Sequence, residues 1–267
     1  MATLVCFHAH PDDEAIATAG TMMAAKAMGH RVVLVVATRG EHGEVADGFL
    51  EPGEQLGIRR IAETFAAAEV MGVDRVEFLG YVDSGMIDTP TNGHPYSFWR
   101  AGVDAAAARL AVILGEESAD VLTVYDEHGG YGHPDHIQVH RVGVRAAELA
   151  GTPRVFESTM NRDDIVRTMK ANAHLLSDEQ RAEMPDLEEP QVDFGMPEER
   201  ITHAIDVREH CARKRDAMRC HASQIGEDDF FLSMPDAAFA DGFGTEWYIE
   251  HGRTREPGAA FVTSLFD

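Results

Sequence analysis

Seven residues near the start of the chain, His8-Ala9-His10-Pro11-Asp12-Asp13-Glu14, carry two histidines and three carboxylates directly after an apolar run at residues 4–7. Charged groups packed this densely repel one another and lose solvation on burial, so a fold keeps them together only for a counter-charge or a reaction. A divalent metal would supply that counter-charge. A second stretch of the same character follows over a hundred residues later, Asp126-Glu127-His128-Gly129-Gly130-Tyr131-Gly132-His133-Pro134-Asp135-His136. The pair constrains the fold, because the two stretches are expected to meet around one ion.

The residues around them read as alternating strands and helices. Residues 4–8 form a short buried strand. Residues 13–28 read as one helix, alanine-rich with carboxylates in the first turn, and Gly29 sits at its C-terminal cap. The run at residues 31–38 (RVVLVVAT) is β-branched and continuous, as in parallel strands buried on both faces. A Gly- and Glu-rich loop covers 39–53, a helix 56–71 ends at Gly72, and a third strand spans 75–79. Residues 80–100 lack periodicity and suggest a functional loop. A helix over 103–114, a strand over 121–125, a helix from Pro134 to about 149 and a strand over 154–160 complete the pattern. Such alternation predicts an α/β, doubly wound, mostly parallel sheet in the order 3-2-1-4-5. Both charged stretches then leave strands 1 and 4, where the topology reverses and ligands bind.

Beyond residue 160 the signal weakens. Residues 163–197 are acidic and Pro-containing, read as a helical insertion or cap; 201–207 is a last strand, 209–224 a helix, and the tail from Gly226 irregular. The expectation is a single domain over residues 1–267: a sheet core with the metal site over 1–160, and a cap and tail over 161–267 shaping the pocket.

Net charge is −23, with lysine at Lys26, Lys170 and Lys214 alone. Such a surface repels phosphate backbones and anionic lipid, so neither nucleic acid nor membrane is the expected partner. No apolar run approaches a membrane span, and the first residues lack a basic-then-apolar secretory pattern. Three scattered cysteines, Cys6, Cys211 and Cys220, argue against a disulfide framework and a cysteine zinc site. A cytoplasmic location is the expectation, and a homo-oligomer is compatible with it.

Zinc hydrolases hold the metal with three His, Asp or Glu ligands and leave a position for water. The first stretch offers His10 and Asp13 with Asp12 beside them, and the second offers His133 and His136. A carboxylate to take the water's proton and a histidine to protonate a leaving group are therefore both at hand.

HAHPDDE together with GGYGHPDH resembles the PIG-L/LmbE-like zinc-dependent N-deacetylases, and most of all the branch acting in actinobacterial mycothiol metabolism, a deacetylase and an S-conjugate amidase. Further matches lie at Thr38–Val45 and Asp83–Met86, with a weaker echo in Arg219-Cys220-His221-Ala222-Ser223-Gln224. The resemblance implies a Rossmann-like fold and zinc-dependent hydrolysis of the N-acetyl group of a small N-acetylglucosamine-type substrate, with Fe²⁺ as the alternative metal. It implies His10, Asp13 and His136 as metal ligands and Asp12 as general base. His133 would act on the leaving amine or the oxyanion, with Asp135 orienting it and Tyr131 donating to the oxyanion. Glu44, Arg60 and Asp83 match substrate-contacting positions.

The alternatives are cleavage of mycothiol S-conjugates and a non-catalytic sugar-binding relative; Asp12 and His133, both present, favour an enzyme. A dinucleotide-binding oxidoreductase is excluded, since no glycine-rich loop follows the first strand. His8 is expected to pack or support the site, His140 to lie outside the ligand set, and His221 to be as often structural as pocket-lining.

Overall fold

The computed structural model describes residues 1–172 and 194–267. Its strands are β1 (Thr3–His8), β2 (Arg31–Thr38), β3 (Arg75–Tyr81), β4 (Val121–Tyr125), β5 (Arg154–Thr159), β6 (His203–Asp206) and β7 (Thr245–Glu250). They form one seven-stranded sheet in the order β3-β2-β1-β4-β5-β7-β6. The strands β1 to β5 pair in parallel, and β7 runs antiparallel to both β5 and β6. Cys6 in the middle of β1 stands opposite Leu34 of β2 and Thr123 of β4.

The helices are α1 (Asp13–Ala17), α2 (Ala19–Ala27), α3 (Leu56–Met71), α4 (Val103–Glu117), the single turn α5 (Gly129–Gly132), α6 (Pro134–Ala150), α7 (Arg162–Asn172), α8 (Cys211–Arg219), α9 (Phe230–Ser233) and α10 (Asp236–Phe243). Both faces of the sheet are covered, which the alternation within β1 makes plain. Leu4 and Cys6 pack in one buried cluster with Met22, Met71 and Met218 from α2, α3 and α8. Val5 and Phe7 pack in the other with Leu110 and Val139 from α4 and α6. A strand buried on both faces reads as an unbroken apolar run, and β2 does. No helix among the described residues is long and apolar enough to cross a membrane.

The expected order 3-2-1-4-5 is present, extended by two strands. Several boundaries differ. The helix expected over 13–28 is broken at Thr18 (φ −136°) into α1 and α2, because the Thr18 hydroxyl is engaged at 2.8 Å by Nε2 of His8 on the neighbouring strand. The tail expected to be irregular from Gly226 instead supplies α9, α10 and β7, and β7 lies between β5 and the strand expected over 201–207. The helix expected over 209–224 is α8, ending at Arg219 and followed by a turn. Of the cap expected over 163–197, α7 begins at Arg162, and residues 173–193 lie outside the described residues.

β7 alternates Thr, Glu, Trp, Tyr, Ile and Glu, and one inward position is a charge. Glu246 is buried and accepts from the amides of Gly20 (2.9 Å) and Thr21 (2.8 Å) and from Lys214 Nζ (2.7 Å). This cluster ties the tail to the opening turn of α2 and to α8. Removing one partner of a buried pair leaves the other uncompensated, which costs about 3–5 kcal/mol. Lys214→Met should therefore lower the thermal unfolding midpoint sharply, with Lys214→Met/Glu246→Gln recovering part of the loss; an unchanged midpoint would contradict the assignment.

Candidate active site

Where β1 ends, its last side chain is pinned. His8 Nδ1 contacts the Tyr125 hydroxyl at 2.9 Å and its Nε2 the Thr18 hydroxyl at 2.8 Å, so His8 supports the loop. The chain then turns through Asp12 at φ 93°. A non-glycine residue in this region costs about 1–3 kcal/mol and persists only where its surroundings over-determine it. The Asp12 amide donates to Glu14 Oε2 at 3.0 Å, and its carbonyl accepts from Ala15 (3.0 Å) and Ile16 (3.2 Å), opening α1. Its carboxylate receives Arg60 Nη2 at 3.1 Å. Burial pushes the Asp12 carboxyl up to about 6, against the pull of Arg60.

The second stretch leaves β4 through a loop wrapped around Asp126, which accepts from the amides of His128 (3.0 Å) and Gly130 (2.9 Å) and from the Thr159 hydroxyl (2.6 Å). Gly129 has φ 68°, and a Cβ there would lie 2.8 Å from both His136 Cβ and the Ile137 amide nitrogen, so only glycine fits. His133 caps α6, its Nδ1 accepting from the Asp135 amide at 3.1 Å, with Pro134 in the first turn. One helical turn places His136 on the crevice, its ring stacked on Tyr125 with centroids 4.1 Å apart.

The two stretches meet. Ring nitrogens of His10, His133 and His136 lie within 4.8 Å of one another, as do donor atoms of His10, Asp83 and Asp135. Asp13 bridges the pair of stretches, with Oδ2 3.5 Å from His10 Nδ1 and Oδ1 3.4 Å from His136 Nε2. His136 Nδ1 lies 3.2 Å from the Gly129 carbonyl, an acceptor, so Nδ1 carries a proton and Nε2 is the nitrogen able to offer a lone pair to a metal. That Nε2 is buried, has no hydrogen-bond partner and faces a carboxylate. An imidazole nitrogen and a carboxylate oxygen aimed at each other in a buried crevice are two ligand atoms between which a metal ion would fit.

Charge in the site is consistent with this. Burial alone would lower His10, but Asp13, Asp135 and Asp83 around it hold its pKa well above the ordinary value. A potential that holds a proton on His10 equally favours a cation. Burial would raise Asp13 and Asp83, yet both are held well below the usual carboxylate range, Asp13 by His136 and His10, Asp83 by His10 and the amides of Gly85 and His42. Burial, with His10 and His136 beside it, pushes His133 down to about 4, so it is neutral at pH 7.

The other expected site residues fall into two groups. Asp83 is buried at the crevice, 3.4 Å from His10 Nε2. Tyr131 stands 51% exposed at its mouth, with its ring 5.1 Å from that of His136. Glu44 is exposed on the rim loop, where its carbonyl accepts from Gln224 Nε2 at 3.1 Å. Arg60, expected against the substrate, is only 3% exposed, and its guanidinium turns inward to Asp12, the Gly40 carbonyl (2.8 Å) and the Pro11 carbonyl. The Asp135 carboxylate, expected to orient His133, lies on His10 (3.1 Å) and on the amide (2.9 Å) and hydroxyl of Ser84; its backbone amide is what holds His133. His140 Nδ1 is directed to the Tyr125 carbonyl at 3.0 Å, outside the cluster.

Glu14, Ser84 and His221 complete the site without having been assigned roles from sequence. Glu14, fully buried, joins the Asp12 amide to His221, whose Nε2 is 2.6 Å from Oε1. Glu14 carried a signal as the third acid of the first stretch, Ser84 lay within the matching segment Asp83–Met86, and His221 lay in the weaker echo at residues 219–224.

A doubly wound α/β sheet with the donor set of a metal-dependent hydrolase at its switch point is the class these observations define. The family model described as GlcNAc-PI de-N-acetylase, PIG-L, matches residues 5–147. A 1D-myo-inositol 2-acetamido-2-deoxy-alpha-D-glucopyranoside deacetylase of Acidothermus cellulolyticus is 41% identical, over 92% of this chain and 88% of its own. Its counterpart from Thermobifida fusca is 39% identical over 98% of each. Among solved structures, N,N'-diacetylchitobiose deacetylase from Pyrococcus horikoshii superposes with a TM-score of 0.61 at 20% identity, covering 93% of this chain and 83% of that one. The chain belongs to the PIG-L family.

The geometry predicts that His136→Ala weakens Zn²⁺ binding more than ~100-fold, since a ligand is worth more than the outer groups that orient it. Equilibrium dialysis with metal analysis measures this, and an unchanged affinity would remove His136 from the ligand set.

Proposed function

We propose that this protein hydrolyses the N-acetyl group of an N-acetylglucosamine-type amide, with zinc held by His10, Asp13 and His136. The observation carrying the reading is the buried, partnerless Nε2 of His136 facing Asp13, with the strained Asp12 beside it. The relatives named as inositol glucosaminide deacetylases support a glucosaminyl-inositol as the substrate.

A divalent cation bound there supplies positive charge to the amide carbonyl and acidity to the attacking water. Asp12 takes the proton from that water as its oxygen attacks the acetyl carbon. A carboxyl raised to about 6 suits a base working near neutral pH. Arg60 and Glu14 keep Asp12 aimed, one through its carboxylate and one through its amide. His133 Nδ1 accepts from a backbone N–H, so the neutral ring carries its proton on Nε2. That N–H donates a hydrogen bond to the carbonyl oxygen as charge develops on it, and the protonated Asp12 passes its proton to the sugar nitrogen as the C–N bond breaks, releasing acetate and a free amine. Tyr131 at the mouth donates to the carbonyl oxygen as negative charge develops on it. Asp83 and Glu44 contact the sugar or its aglycone. Three free cysteines, two of them buried, suit a reducing compartment, and the reading includes a cytoplasmic site of action.

The experiment is amine release by the zinc-loaded protein from N-acetylglucosaminyl-inositol, N-acetylglucosamine, a chitin disaccharide and a mycothiol S-conjugate. Release that a chelator stops and zinc restores is expected, with N-acetylglucosaminyl-inositol preferred; silence across the panel with metal bound would overturn the reading. Asp12→Asn should lower kcat roughly 10²- to 10⁴-fold with metal content unchanged. A variant keeping most of its rate would remove Asp12 as the base.

A further inference from the structure

The turn after α8, residues 220–224, is far from Asp12 in sequence and closes on everything that holds it. His221 is fully buried, and its Nε2 lies 2.6 Å from Glu14 Oε1. The other oxygen of Glu14 accepts from the Asp12 amide at 3.0 Å. Two residues on, Ser223 donates to Glu63 twice, from its amide at 2.9 Å and from its hydroxyl at 2.7 Å. Glu63 sits on α3 three residues after Arg60, the side chain that grips the Asp12 carboxylate. Gln224 reaches the Glu44 carbonyl at 3.1 Å on the rim loop. The turn thus bonds one support, Glu14, and braces α3 beside the other, Arg60, around a residue held at φ 93°.

Resting on the reading of Asp12 as base, we infer that His221 and Ser223 are positioning residues, a clamp from the C-terminal part of the chain that keeps Asp12 in its strained, productive orientation. His221 has no exposed surface, and its polar contact is to Glu14, through which it acts. Its Nδ1 is buried without a hydrogen-bond partner. A histidine with one nitrogen left unpaired is a poor choice for structure alone, and the Nε2 contact to Glu14 is the interaction that accounts for it.

The test compares His221→Leu and His221→Gln with the wild type, reading kcat, KM, zinc per chain and unfolding midpoint. Glutamine places a donor near the Nε2 position and can keep the bond to Glu14, whereas leucine cannot. A misplaced catalytic group costs up to about 100-fold, so His221→Leu should lose roughly 10- to 100-fold in kcat, with KM and zinc content near those of the wild type. His221→Gln should recover most of that loss. Equal kcat in wild type and His221→Leu overturns the inference, as does a loss in both variants that tracks lost zinc. Should His221→Leu fail to fold, Glu14→Gln decides: a kcat near that of the wild type overturns the clamp, and a kcat-only loss supports it. A wild type inactive on every amide would remove the proposed function and this inference together, whereas an active wild type with an indifferent His221 removes this inference alone.

Discussion

An imidazole nitrogen and a carboxylate face each other across the carboxyl ends of β1 and β4. The bond from His136 Nδ1 to the Gly129 carbonyl turns Nε2 to the crevice, and Asp13 stands 3.4 Å away. A positive charge between or on these groups stabilises the juxtaposition, and much of the fold works to enforce it. Gly129 clears space for the close approach of the loop to α6, Asp126 winds that loop, Tyr125 backs the imidazole, and His8 anchors the end of β1. The sheet contributes adjacency: β1 and β4 are neighbours although over a hundred residues separate them, because the topology reverses between them.

Around this pair the chain separates holding from reacting. Arg60, Glu14, Asp135 and Ser84 are buried and hydrogen-bonded, and each fixes a group that faces the crevice. On the proposed reading, His133, Asp12 and Tyr131 exchange protons or donate to developing charge. Such a division is what preorganisation requires, since donors already oriented need no reorganisation as charge moves.

The parallel core was legible in the sequence because burial on both faces writes itself as unbroken apolar runs, and residues 31–38 are the clearest case. The metal-binding chemistry was legible because carboxylates and imidazoles crowded into a few residues after a buried strand demand a counter-charge. What the sequence concealed has equally physical causes. β7 was hidden because its inward Glu246 is neutralised by Lys214, a long-range pairing that no local pattern announces. The break at Thr18 depends on a hydroxyl meeting His8 across the fold. Arg60 looked like a solvated arginine beside Arg59, or a substrate contact, and only tertiary structure shows its guanidinium turned to Asp12. The sequence left His221 evenly between a structural and a pocket-lining place, since its partner Glu14 lies two hundred residues earlier.

Two donor groups share His10, one with His133 and His136 and one with Asp83 and Asp135, so the position of the ion is the most direct test. Anomalous diffraction at the zinc edge from a zinc-loaded crystal measures it. A single peak bounded by His10, Asp13 and His136 is the predicted result. A peak on Asp83 and Asp135 instead, or none at full zinc loading, would contradict the account.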